Sequence, residues 1–127
     1  DIDVTCSAGT FIRAIARDLG NELGVGGHLR ALRRTRVAGF ALDVATSIED
    51  LKSKSFTALG LTDVARRTFT SRELTVEEVR ELSFGRPLTL SGTQEIVAGI
   101  SPDNVLIALL KDESDKAKPV AVFAAAH

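Results

Sequence analysis

The chain has 127 residues, 44% of them hydrophobic and 26% charged, with 16 Lys and Arg against 17 Asp and Glu for a formal net charge of −1. That length makes one ordinary domain or two small ones, able to bury roughly two-thirds of the unfolded surface, and the composition excludes a disordered or fibrous chain. One cysteine excludes an internal disulfide, no apolar run approaches the roughly 20 residues of a membrane span, and the charge balance argues neither for nor against a nucleic-acid partner.

Asp1 heads a sequence without methionine, as expected of a piece of a longer protein. The alternation Asp1-Ile2-Asp3-Val4-Thr5-Cys6 predicts a half-buried strand with Ile2, Val4 and Cys6 on one face. From residue 10 to 23, Ile12, Ile15, Ala16, Leu19 and Leu23 recur at helical spacing. A helix is expected there, capped by Ser7 or Thr10 and ended by Gly24 in a left-handed conformation. Val25-Gly26-Gly27 reads as a loop, Leu29 and Leu32 suggest a short helix over 28–34, and 35–42 reads as a strand. Thr46 and Glu49 form a capping box for a short helix around 48–52.

Periodicity fades around 53–57, which divides the chain into domains 1–53 and 54–127. In the second, Thr75 and Glu78 open a helix that runs through Ser83 and stops at Phe84-Gly85-Arg86-Pro87. Three β-like runs follow at 95–100, 105–111 and 120–125, the first two joined by the turn Ser101-Pro102-Asp103-Asn104, with the charged stretch 111–118 expected as a long hairpin loop. The fold class is therefore α+β, with a small β-rich second part.

The stretch Cys6-Ser7-Ala8-Gly9-Thr10-Phe11-Ile12-Arg13 has the parts of an anion-binding loop. A thiol phosphatase needs five residues between Cys and Arg; here there are six, and the strand pattern directs Cys6 to the apolar face as a small core residue. Arg13 lies about 100° around the helix from Ile12, at the border of the apolar stripe. Two readings stand for it: a semi-buried fork that pairs a carboxylate or phosphate, or a stem that covers the edge of the core. Residues 28–36 hold Arg30, Arg33, Arg34 and Arg36 and no acid, a local positive patch suited to phosphates or simply a solvated face. Leu32 is core by default and His28 a capping or structural residue. No metal-ligand spacing exists, and without Tyr or Trp there is no broad stacking platform for single strands.

Asp3-Val4-Thr5-Cys6-Ser7-Ala8-Gly9-Thr10-Phe11-Ile12-Arg13, Asp18-Leu19-Gly20, Leu23-Gly24-Val25-Gly26-Gly27-His28-Leu29 and Leu32-Arg33-Arg34-Thr35 together resemble the late motifs of bacterial TruB-type tRNA pseudouridine synthases. The resemblance implies the end of a mixed-sheet catalytic domain followed by linker helices and a small PUA-like RNA-binding domain. It implies a cofactor-free, metal-free isomerase of the cytoplasm, monomeric and without an obligatory protein partner or membrane. Such an enzyme flips the uridine at position 55 out of the T loop of tRNA, breaks its N-glycosidic bond and rejoins the uracil through C5. The family's catalytic aspartate lies in an early Gly-x-Leu-Asp-Pro loop. Gly60-Leu61-Thr62-Asp63 does not match it, because the acid is one place late and Val64 stands where the proline belongs. On these terms Arg13 matches the arginine that pairs with that aspartate, and Leu32 the leucine that packs on the flipped base. Phe11, where the family usually has tyrosine, lines the pocket by packing alone, and Arg30, Arg33, Arg34 and Arg36 follow the tRNA backbone. The competing reading is a stand-alone, non-catalytic RNA-binding module.

Overall fold

The structure is a computed structural model and describes residues 1–123. It divides into two compact units, Asp1–Thr35 and residue 36 onward; the expected division between 53 and 54 falls inside the second.

The first unit is built on helix α1 (Ile12–Glu22), where the apolar spacing predicts it. Its N-cap is Phe11, which offers no side-chain acceptor, in place of the expected Ser7 or Thr10. Gly24 ends the helix as expected, at φ +70°. Two further expectations fail in this unit. Residues 1–7 form no strand and Cys6 is exposed rather than buried: a strand exists through its ladder, and no described segment pairs with this one. Residues 28–34 form no helix. One amphipathic turn or two is marginal without a surface to bury its apolar side, and Leu32 remains 60% exposed.

The second unit opens with a hairpin, β1 (Arg36–Val37) and β2 (Phe40–Ala41), with Arg36 opposite Ala41. The single strand expected over 35–42 is thus folded in two at Ala38, whose φ is +49°, and Gly39. Helix α2 (Ile48–Ser53) is capped by Ser47, one place after the expected Thr46, through the Asp50 N–H donating to Ser47 Oγ at 3.0 Å. Helix α3 (Leu61–Thr68) precedes β3 (Thr70–Glu73), whose sequence Thr-Ser-Arg-Glu has no apolar alternation to announce it. Helix α4 (Val76–Ser83) carries the complete Thr75–Glu78 capping box and stops at Gly85, φ +71°, as its sequence signals.

Strands β4 (Val97–Ile100), β5 (Leu106–Glu113) and β6 (Lys116–Val122) complete a sheet in the order β3-β4-β5-β6. β3 and β4 run parallel, which requires the crossover that α4 provides, and the other neighbours are antiparallel. The charged stretch 111–118 is not a long loop: Lys111 faces Lys118 and Glu113 faces Lys116 across the β5–β6 ladder. Exposed Lys111, Glu113, Lys116 and Lys118 alternate with half-buried Asp112 and buried Ala117, so one face of each strand is solvated while the other packs, and the turn shrinks to Ser114-Asp115. The last expected strand starts earlier than 120, and residues 124 and 125 of it lie outside the described residues.

Two buried clusters hold this unit together. Leu74, Leu82, Leu88, Ile107, Ala108, Leu110 and Ala117 form one, with Val79 of α4 against it. Ala65 of α3 joins Ala98, Ile100 and Leu106 in the other. Polar anchors fix the segment between α4 and β4. Arg72 bonds Glu78 at 2.5 Å and the Thr89 carbonyl at 2.7 Å. The Asp112 carboxylate accepts the Ser91 and Gly92 N–H groups at 2.9 and 2.8 Å. The Ser91 amide above all, with Gly92, holds the Asp112 carboxyl below the usual carboxylate range. A depressed carboxyl stabilises the fold above its ordinary pKa and loses that contribution as pH falls through the native value. The Ser91 and Gly92 amide NMR shifts are therefore expected to titrate together below the usual carboxylate range. Asp112→Asn should flatten both curves, and a midpoint at the ordinary value would contradict the assignment.

Candidate nucleic-acid interface

The start of α1 presents the first part of the site. Gly9, φ +83°, turns the chain after Ala8, and Phe11 and Arg13 then stand exposed on the first turn. Phe11, Arg13, Ala14 and Arg17 line one shallow concave surface, open to solvent. The two arginines differ in occupation. Arg17 Nε donates to Asp18 Oδ1 at 2.7 Å, which lowers the Asp18 carboxyl and raises the guanidinium. Arg13 makes no ion pair among the described residues. Of the two readings of its place at the border of the stripe, the semi-buried fork is not what the structure shows: Arg13 is exposed, and its fork is free beside the exposed ring of Phe11. An unpaired guanidinium with five donors suits a carboxylate or phosphate brought to it.

What fixes this helix is a contact that hydrophobic periodicity does not show. Gly20 is the buried residue of α1, and its carbonyl accepts the N–H groups of Val25 and Gly26 at 3.0 and 2.9 Å. A Cβ at Gly20 would overlap the Gly26 carbonyl, and a Cβ at Gly27 would overlap the Ala16 carbonyl oxygen. The 24–27 loop therefore lies flush along α1, backbone against backbone. The signal in the sequence is the glycine pair Gly26-Gly27 shortly beyond Gly20. Gly20→Ala is expected to lower stability by about 1–3 kcal/mol despite alanine's higher helix propensity, measured as a loss of midpoint in urea; a stabilised variant would contradict the close approach.

Leu32, Arg30, Arg33 and Arg34 all lie on the irregular segment after this loop and are exposed. Leu32 is thus an apolar side chain offered to solvent, not a core residue. Arg36 lies on β1, in the second unit, and is exposed. Among the described residues no three His, Cys, Asp or Glu side chains are grouped to hold a metal ion, and no helix is long and apolar enough to cross a membrane.

Two family models match the chain in succession: "tRNA pseudouridylate synthase B C-terminal domain" over residues 13–66 and "tRNA Pseudouridine synthase II, C terminal" over residues 69–124. A protein of Mycobacterium leprae called tRNA pseudouridine synthase B is 48% identical over 123 residues, 97% of this chain and 38% of its own length. The chain belongs to the TruB-type tRNA pseudouridine synthase family. A namesake from Arthrobacter sp. is 47% identical over 135 residues, 98% of this chain and 44% of its own length. The chain thus spans about two-fifths of the curated relatives it matches. Among solved structures, a chain of an H/ACA ribonucleoprotein bound to a substrate RNA containing 2′-deoxyuridine superposes with a TM-score of 0.73 at 20% identity, covering 92% of this chain and 47% of that one. A chain of a Cbf5–Nop10–Gar1 complex does so at 0.67 and 23% identity, covering 92% and 45%. At such identities these two likenesses speak for the fold.

Proposed function

We propose that this chain acts as the C-terminal part of an enzyme that isomerises the uridine at position 55 in the T loop of tRNA to pseudouridine. The observation that carries the reading is the 45–48% identity, along 97% of the chain, to proteins called tRNA pseudouridine synthase B. The free fork of Arg13 supports it further. In this reading Arg13 holds an aspartate that another part of the longer protein supplies, keeping it ionised and aimed in an enclosed pocket where a lone carboxyl would protonate. The reaction is an isomerisation, so no atom is gained or lost. The N-glycosidic bond breaks, the uracil turns, and C5 takes the place of N1 on the ribose, with a proton leaving C5 and N1 gaining one.

Leu32 offers an apolar face to the flipped base and Phe11 packs at the pocket wall. Arg30, Arg33, Arg34 and Arg36 contact phosphates, which set position without reading sequence. The functional division lies between 53 and 54, and the β-rich unit after it is a PUA-like RNA-binding domain. The enzyme works in the cytoplasm without cofactor, as a monomer with no obligatory protein partner. The test is to incubate the longer protein with an unmodified T stem-loop RNA and map pseudouridine chemically. A single modified base at position 55 is expected; an unmodified RNA, or modification elsewhere in the loop, would overturn the reading.

A further inference from the structure

The β1–β2 hairpin has two residues in each strand, far too few to persist on its own. It is held at its tip. A Cβ at Gly39 would overlap the carbonyl oxygen of Arg67, so the turn lies flush on the last residues of α3. Arg67 Nη1 in return donates to the Gly39 carbonyl at 3.3 Å. α3 is itself pinned. Ala65 is 3% exposed in the sheet core, and Thr62 Oγ1 accepts the Leu106 N–H at 3.0 Å. Arg66 binds Asn104 Oδ1 at 3.1 Å and Glu73 at 2.8 Å. Arg66 and Arg67 thus divide their work: one anchors the helix to the sheet, the other grips the hairpin.

At the base of that hairpin stands Arg36, exposed and without an ion pair among the described residues. An exposed guanidinium on a backbone carbonyl adds little to stability; what the Gly39–Arg67 contact fixes is the place of the strand it holds. We propose that Gly39 and Arg67 are positioning residues for tRNA binding, clamping the hairpin to α3 so that the sheet-bearing unit aims Arg36 at a backbone phosphate. The inference rests on the phosphate role proposed for Arg36. It makes Arg36 differ from Arg30, Arg33 and Arg34, which lie on a segment of irregular backbone.

The experiment measures tRNA affinity of the full-length protein by fluorescence anisotropy across a salt series, for Arg36→Ala, Gly39→Val, Arg67→Gln and the double variant Gly39→Val/Arg36→Ala. Arg36→Ala is expected to weaken binding about two- to tenfold, as for one lost contact, and to flatten the slope of log Kd against log salt by roughly 0.7–0.9. Gly39→Val should reproduce both effects, and the double variant should bind no worse than Arg36→Ala alone. Arg67→Gln, which keeps the close-packed turn and an uncharged donor, should shift binding in the same direction by less; it serves as the probe should Gly39→Val fail to fold. Additive losses, or weaker binding with an unchanged salt slope, would mean a structural contact only and overturn the clamp. An Arg36→Ala variant with unchanged affinity and slope would remove Arg36 from the RNA and the clamp's purpose with it. The isomerase reading would still stand or fall on pseudouridine formation, which is measured separately.

Discussion

Arg13→Lys in the full-length protein is expected to lower pseudouridine formation on the order of a thousandfold while leaving tRNA affinity within about threefold. A thousandfold is about 4 kcal/mol of barrier. The charge is kept, so the loss isolates geometry. A guanidinium presents two parallel N–H donors to the two oxygens of a carboxylate, whereas an ammonium is a point charge that leaves the acid free to turn. Misplacement of a reacting group by about 1 Å is enough to cost around a hundredfold, and weakened pairing in an enclosed pocket also raises the acid's pKa. The measurement is single-turnover conversion of a T stem-loop RNA beside its binding isotherm. Full turnover in Arg13→Lys would remove the residue from the chemistry, and equal losses in turnover and binding would make it a phosphate contact instead. Arg17→Lys is the internal comparison, since Arg17 is already occupied by Asp18 and should change turnover little.

Leu82→Ala is expected to destabilise the second unit by about 3–5 kcal/mol, the range for a fully buried leucine whose site collapses poorly. Leu82 is 0% exposed and sits with Leu74, Leu88, Ile107 and Leu110 in the larger core cluster. A small domain has about 5–15 kcal/mol to lose, so the change removes a large share. Val76, at the start of α4, is 69% exposed, and Val76→Ala should stay within about 0.5 kcal/mol. Urea denaturation followed by circular dichroism reads both. A loss below about 1 kcal/mol for Leu82→Ala would mean that α4 does not seat on the sheet as described.

Local signals carry over from sequence to structure where the chemistry is local. The apolar spacing that defines α1, the Thr75–Glu78 box and the stop at Gly85 all depend on residues within a few turns of each other. The same is true of the turn at 101–104, where the Asn104 N–H donates to the Ser101 carbonyl at 2.9 Å. Where the period alone speaks, partners decide. The alternation of residues 1–6 and the leucine pair of 28–34 are real patterns, but a strand without a neighbour and a short helix without a surface do not form. β3 shows the converse: Thr-Ser-Arg-Glu has little strand character, and it becomes a strand because β4 lies beside it in parallel register.

The candidate site divides along the same line. By itself the sequence determined which residues are candidates for the chemistry, since the run from Asp3 to Thr35 holds the motifs with their arginines and leucine in fixed spacing, and six residues between Cys6 and Arg13 rule out the thiol loop. Tertiary structure alone decided that Arg13 is free while Arg17 is paired, that Cys6 and Leu32 are exposed, and that Gly20 with Gly26, and Gly39 with Arg67, are close approaches of backbone. The physical reason is range. Residue type and spacing fix what a side chain can donate, accept or bury, but pairing and exposure depend on atoms far along the chain that arrive only when the fold is complete.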